Sequence, residues 1–285
     1  MIYFNDVTKL YNQDSVGIEN VNLTITPGEF VSIVGHSGAG KTTLVNELVY
    51  YWIYNSPHRI GVVSMELDAG QYGQVLLSRH IQKKISLIED PDQAVAFLQQ
   101  DEIREKGKEL FQDEFGNPRF HLVDDRDGTI KALQDTIEEL IVSCGCKVLI
   151  LDPLSDMLDG LSNDEQAVVM RWMKGMVKSH KVTFMNISHV RKGAGGNGES
   201  PDKPRFITEE DFSGSGTIFK SAGANVLMMR NKYSEDPLER NTTSIYLSKN
   251  RWAGRIGEAG KFYYDNDTHT LHDFDTFMGK QAGEF

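Results

Sequence analysis

Residues 30–44 read FVSIVGHSGAGKTTL, an apolar β-branched run that breaks into glycines and then into a helical pattern. Gly35 to Thr42 match G-x-x-x-x-G-K-[ST] without a gap, flanked as the motif requires by a strand before and a helix after. Glycines let the backbone curl so that successive N–H groups face one anion, and the helix that follows presents its positive end. A lysine reaches the outer phosphates of a nucleotide, and a hydroxyl residue offers a ligand to Mg²⁺. The expected phosphate-binding set is therefore Gly35, Ser37, Gly38, Ala39, Gly40, Lys41, Thr42 and Thr43, with Lys41 as its cation and Thr42 as a metal ligand.

Working outward, apolar runs alternate with amphipathic stretches. The runs are 30–34, 60–64, 120–123, 148–151, 182–187, 226–229 and 245–247, and helical patterns cover 41–53, 71–88, 91–111, 129–143 and 163–179. That alternation predicts an α/β fold with a mostly parallel central sheet flanked by helices. Towards the carboxyl end the runs follow one another through short loops, which predicts an antiparallel extension. The expected organisation is a lead-in over 1–29, one domain over 30–272 and a polar tail over 273–285. Residues 191–211 carry glycine, proline and scattered charge without apolar period, and are expected to form a long working loop after a core strand.

Two acids stand at strand ends. VLILD closes on Asp152, the expected second metal ligand, and VVSME closes on Glu66. A strand-end acid is also an ordinary surface residue, so Glu66 has a bland reading beside the functional one.

The chain has 285 residues and a net charge of −11, which excludes a broad basic coat for nucleic acid but leaves room for a local basic loop. No run reaches the length a membrane-spanning helix needs, and the amino terminus lacks a basic segment followed by an apolar one. A cytoplasmic protein is expected, in the host cytoplasm if phage-encoded. Cys144 and Cys146 are too close for an ordinary disulfide and too few for zinc, and are read as reduced residues opening a buried strand.

Five further segments carry a resemblance. SMEL (64–67), LILDPLSDM (149–157), NISHVRK (186–192), FSGSGTIFKSAGANVLMMRN (212–231) and LSKNRWAGRIGEAGKFYYD (247–265) are similar, in order, to motifs of RecA-like ring helicases of the DnaB, Twinkle and phage primase–helicase type. The resemblance implies a RecA-like ATPase fold in which the strand ending in Glu66 lies beside the phosphate-loop strand. It implies Glu66 as the base that orients water, His189 as a γ-phosphate sensor, and Lys249 and Arg251 as residues reaching the next subunit's nucleotide. It also implies ATP or another nucleoside triphosphate with Mg²⁺, single-stranded DNA, a hexameric ring acting in replication, and a separate primase or loader for so bare a motor. Arg191, Lys192, Lys203 and Arg205 are the expected DNA-gripping residues of the long loop. Lys220 departs from the family, which usually has glutamine there. His189 as a core histidine, and Lys249 and Arg251 as a solvated strand face, are the plainer readings.

The first 44 residues resemble something else. MIYFNDVTKLY followed by IENVNLTITPGEFVSIVGHSGAGKTTL is similar to the opening of ABC-transporter ATPases, with Tyr11 placed 24 residues before Gly35 where that family stacks adenine. Downstream the likeness stops, since no LSGGQ-like signature precedes Asp152 and Pro153 replaces the glutamate expected next to it. A natural mosaic and an engineered chimera would each produce this pattern. The leading expectation is an ATP-driven hexameric DNA helicase. The alternatives are a RecA-like recombination or regulatory DNA-dependent ATPase that does not unwind, and an ABC-type subunit with a membrane partner.

Overall fold

The computed structural model describes the backbone of residues 2–12, 15–25, 28–124, 129–190, 216–251, 254, 256–268 and 270–282, and within these the side chains from residue 28 to 279. The phosphate-loop strand β3 (Phe30–Gly35) is buried along its whole length, as a strand covered on both faces should be, and it feeds α1 (Lys41–Asn55) through the glycine loop. Four more strands run parallel to it: β4 (Arg59–Ser64), β5 (Phe120–Val123), β6 (Cys146–Asp152) and β7 (Thr183–His189). β8 (Ala224–Arg230) flanks β3 on the other side, also parallel. From there β9 (Thr242–Asn250), β10 (Gly257–Tyr264) and β11 (Leu271–Asp273) continue antiparallel, as the short connections predict. The nine strands lie in the order β11-β10-β9-β8-β3-β7-β6-β4-β5. β1 (Ile2–Asn12) and β2 (Ser15–Ile25) pair antiparallel as a separate two-stranded sheet.

Period-two alternation sends side chains from each central strand into two cores. On one face Ile33, Ile60, Val62, Val148, Ile150 and Met185 pack with α1, α2 (Ala69–His80) and α4 (Asp101–Phe111). On the other, Phe30, Val63, Leu149, Leu151 and Phe184 pack with α5 (Ile130–Val142) and the methionine-rich side of α7 (Asn163–His180). Three helices start at side-chain caps written in the sequence. Asp68 and Ser162 form capping boxes with Gln71 and Glu165, and Thr129 accepts from the Ala132 N–H.

The structure adds to the sequence reading and departs from it in several places. The strand ending before Glu66 does not lie beside the phosphate-loop strand, because β7 and β6 stand between β3 and β4. The helical pattern at 91–111 is two helices, α3 (Pro91–Leu98) and α4, since Gln100 takes an extended conformation between them. The pattern at 71–88 ends as a helix at His80 and resumes only as a short turn at Ile85–Leu87. Within the expected polar tail, residues 274–282 form a helix, α10 (Phe274–Ala282), with Phe277 stacked on Tyr263 at 4.0 Å between ring centroids. Cys146 opens β6 as expected, buried and unpaired, with its thiol pushed up to about 12 by burial. The long loop expected at 191–211 lies outside the described residues.

One polar contact is set deep in the first core. Glu47 on α1 and Arg79 on α2, both fully buried, meet at 2.7 Å, and the same Glu47 oxygen accepts the Leu271 N–H at 3.5 Å. The pair ties two helices to the far edge of the sheet, and removing one partner leaves the other charge in a dry interior. Arg79→Ala is expected to lower unfolding free energy by about 3–5 kcal/mol, whereas Glu47→Leu/Arg79→Met is expected to recover most of that. Urea denaturation of the three chains measures both.

Candidate functional site

The carboxyl ends of the parallel strands converge on one edge of the sheet, the place where open α/β folds bind ligands. Gly35 at the end of β3 is in register with His189 at the end of β7, and Asp152 at the end of β6 is in register with Ser64. Gly35 must be glycine for reasons of space, because a Cβ there would come within 2.6 Å of the Met228 carbonyl oxygen on β8. Gly40 must be glycine for its conformation, φ +85°, which turns the loop into α1. No side chain caps α1 and no acid lies in its first turn, so its first N–H groups and positive end face the loop.

Lys41 is buried, and its ammonium donates to the carbonyls of Gly35 at 2.9 Å and His36 at 3.0 Å. It also lies 3.3 Å from Nδ1 of His189, whose Nε2 is 3.4 Å from Glu66 Oε1. With the ammonium donating to Nδ1, the proton falls on Nε2 and is donated to Glu66, which fixes the tautomer through a chain Lys41–His189–Glu66. Burial draws the Lys41 pKa down to about 8 against the opposing pull of Asp152, Glu66 and Asp156. The hydrogen bond from His189 holds the Glu66 carboxyl below its usual range, so it is a carboxylate at neutral pH.

Glu66 reaches this chain although its strand is two places removed from β3. β4 stops at Ser64, and Glu66 sits in an exposed turn beyond it rather than on the strand as the sequence reading had it. The Met65 N–H donates to the Asp152 carbonyl at 2.8 Å, and Ser64 Oγ accepts the Leu67 N–H at 3.0 Å, which folds the turn back over the end of β6.

Asp152 is buried, and burial pushes its pKa up to about 6 despite a hydrogen bond from the Thr42 hydroxyl. Its Oδ1 has no hydrogen-bond partner among the described residues. An orphaned buried carboxylate oxygen beside a hydroxyl fits a hard divalent cation. Thr42 and Asp152 would hold it.

Three neighbours of the site escaped the sequence reading. Asp156, one turn beyond Asp152 on α6 (Leu154–Met157), brings a carboxylate oxygen within 4.8 Å of ligand atoms of Glu66 and His189. Its signal was present in LILDPLSDM as a second acid four residues on. Thr243 on β9 donates to the Ala39 carbonyl at 3.2 Å and pins the loop from behind, and Lys232 lies over Gly38. Neither belongs to a strand-end pattern that sequence alone displays.

Lys249 and Arg251 are gathered elsewhere, at the carbonyl end of α8 (Gly216–Ser221). Lys249 Nζ donates to the Phe219 and Lys220 carbonyls at 3.1 and 3.2 Å, and Arg251 donates to the Lys220 carbonyl at 3.5 Å. Lys220 itself is exposed on α8. Tyr11 falls on β1, and its side chain lies outside the described residues, as do Arg191, Lys192, Lys203 and Arg205.

The chain is 24% identical over 275 residues to a DNA helicase/primase of enterobacteria phage T3, covering 94% of this chain and 46% of that protein. It is 54% identical over 48 residues to the phosphonates import ATP-binding protein PhnC of Lactobacillus delbrueckii subsp. bulgaricus, a match covering 17% of this chain and 19% of that protein. The chain thus spans less than half the length of either relative. In fold it is similar to the ATPase domain of G40P, with a TM-score of 0.65 at 15% identity over 87% of this chain and 86% of that one. The mixed sheet, parallel about the phosphate loop and antiparallel towards its carboxyl-terminal strands, is RecA-like. Residues 16–273 match a single family along nearly the whole chain, and the chain belongs to the DnaB-like helicase C terminal domain family.

Proposed function

We propose that the chain is the ATP-hydrolysing motor of a replicative DNA helicase, working as a hexameric ring on single-stranded DNA. The observation that carries this reading is the chain Lys41–His189–Glu66. It links the cation of a phosphate loop, through a strand-end histidine, to an ionised carboxylate placed to orient water. Family membership supports the coupling of that chemistry to DNA.

In the reaction as proposed, the α1 N-terminus, the loop N–H groups and Lys41 bind the β and γ phosphates. Mg²⁺, held by Thr42 and Asp152, would supply neutralisation of charge on the phosphate oxygens. Glu66 orients and deprotonates the attacking water, and the Nε2–H of His189 fixes the direction in which Glu66 points. His189 also ends β7, the strand that leads into residues 191–211, so a shift of the histidine against Lys41 moves the anchor of the segment carrying Arg191, Lys192, Lys203 and Arg205. Arg251 acts on the next subunit's nucleotide and leaves its contact with α8 to do so. The short, strong match to a transport ATPase favours one addition, adenine stacking by Tyr11.

Strand displacement on a forked duplex tests the reading: ATP-dependent unwinding is expected, and DNA-stimulated hydrolysis without displacement would favour a recombination or regulatory ATPase instead. Glu66→Gln is expected to keep nucleotide binding and lower turnover by about 10²–10⁴-fold. Mixed with Arg251→Ala, it is expected to regain hydrolysis at interfaces where both residues are intact, read as phosphate release against mixing ratio. Asp152→Asn is expected to separate stability from activity. At pH 8 the buried carboxylate is ionised, which the fold disfavours, so removing the charge should raise metal-free unfolding free energy by about 1–3 kcal/mol while abolishing Mg²⁺-dependent turnover. Urea titration and phosphate release on the same preparation read both.

A further inference from the structure

The turn after β8 brings a second lysine to the phosphate loop. A methyl group built on Gly38 would lie 3.1 Å from Cδ of Lys232 and 3.7 Å from its Nζ. The side chain is exposed, and its ammonium stands 5.1 Å from the ring centroid of Tyr233.

The turn that presents it is braced. The Arg230 guanidinium donates to the Arg240 carbonyl and to Asn241 Oδ1, at 2.5 and 3.1 Å. Asn231 Nδ2 donates to one oxygen of Glu239 at 3.2 Å, and the Ser234 hydroxyl donates to the other. Asp236 accepts the Leu238 N–H at the start of α9 (Pro237–Asn241). Glu239 and Asp236 are thus engaged within the turn and α9, while Glu235 stands exposed in the same turn.

What Lys232 meets instead is a loop of residues 35–42 that holds no acid, already carries Lys41, and ends at the positive end of α1. Two ammonium groups and a helix N-terminus converging on one loop repel one another unless an anion lies between them.

We propose that Lys232 is a nucleotide-binding residue, its ammonium contacting phosphate oxygens from the β8 side of the loop while Lys41 contacts them from beneath. The assignment rests on the nucleotide-binding reading of the loop and adds a residue to it. An exposed cation makes a modest, salt-screened contribution, so Lys232→Ala is expected to weaken binding of mant-ADP by about 2- to 10-fold at low salt. The difference should shrink as salt rises, Lys232→Arg should recover most of it, and in steady-state hydrolysis the loss should fall on KM more than on kcat.

The experiment is an equilibrium titration of mant-ADP into wild type, Lys41→Ala, Lys232→Ala and Lys232→Arg at two salt concentrations. If wild type binds, Lys41→Ala does not, and Lys232→Ala matches wild type at both salts, Lys232 is no phosphate ligand while the loop assignment stands. If wild type fails to bind mant-ADP, the loop assignment and this one fall together. A Lys232→Ala loss that arginine does not restore and salt does not change would assign the residue to packing of the turn and overturn the proposal.

Discussion

The ammonium of Lys41 is buried among backbone carbonyls, and burial works against its charged form. The fields of Asp152, Glu66 and Asp156 oppose that and keep the group near a pKa of 8. A buried cation held by three carboxylates at a distance is a balance that a phosphate chain with its metal can enter from either side, since it brings negative charge to the lysine and positive charge to the acids. Most of the fold serves that balance. The parallel strands must end level with one another, the turn after β4 must double back over β6, and β9 must hold the loop from behind through Thr243.

How far the sequence discloses this depends on what each feature is made of. The glycine loop is contiguous, its glycines are required by backbone geometry and its lysine supplies the charge, so it reads at once. Asp152 and Glu66 read as acids closing apolar runs, a pattern common on its own that takes on meaning only beside the glycine loop. Strand order is a different matter. The order of strands in space is set by crossovers, and nothing in VVSME reports that β7 and β6 will come between it and the loop strand. Glu66 reaches the site through a turn held by one local hydrogen bond, Leu67 to Ser64, and one long-range bond, Met65 to Asp152, neither of which leaves a periodic pattern.

The elements that were missed share a physical cause. β10 (GEAGKFYY) is an outer antiparallel strand with one buried residue, Phe262, so it has no apolar run to announce it. The break between α3 and α4 falls at Gln100, a good helix former that nevertheless takes an extended conformation, so propensity gives no sign of it. α10 lacks the charge-free periodicity of a core helix, and its described contacts are the rings of Phe277 with Tyr263 and His272 and the hydrogen bonds of Thr276 to Asp273. Lys232 lies in a polar turn that resembles any surface turn until the loop it overhangs is known.

The two likenesses are unequal in length: the one to a transport ATPase runs over 48 residues and the one to a phage helicase/primase over 275. The family match extends over residues 16–273, and so takes in the strand-end histidine, the turn carrying Glu66 and the antiparallel strands after β8. A structure of the chain with Mg²⁺ and a non-hydrolysable ATP analogue tests the central claim most directly. The account expects the γ-phosphate beside Lys41 and His189, the cation between Thr42 and Asp152, and a water molecule held by Glu66. A nucleotide bound away from the carboxyl ends of β3, β6 and β7, or one whose γ-phosphate faces no part of the Lys41–His189–Glu66 chain, would contradict it.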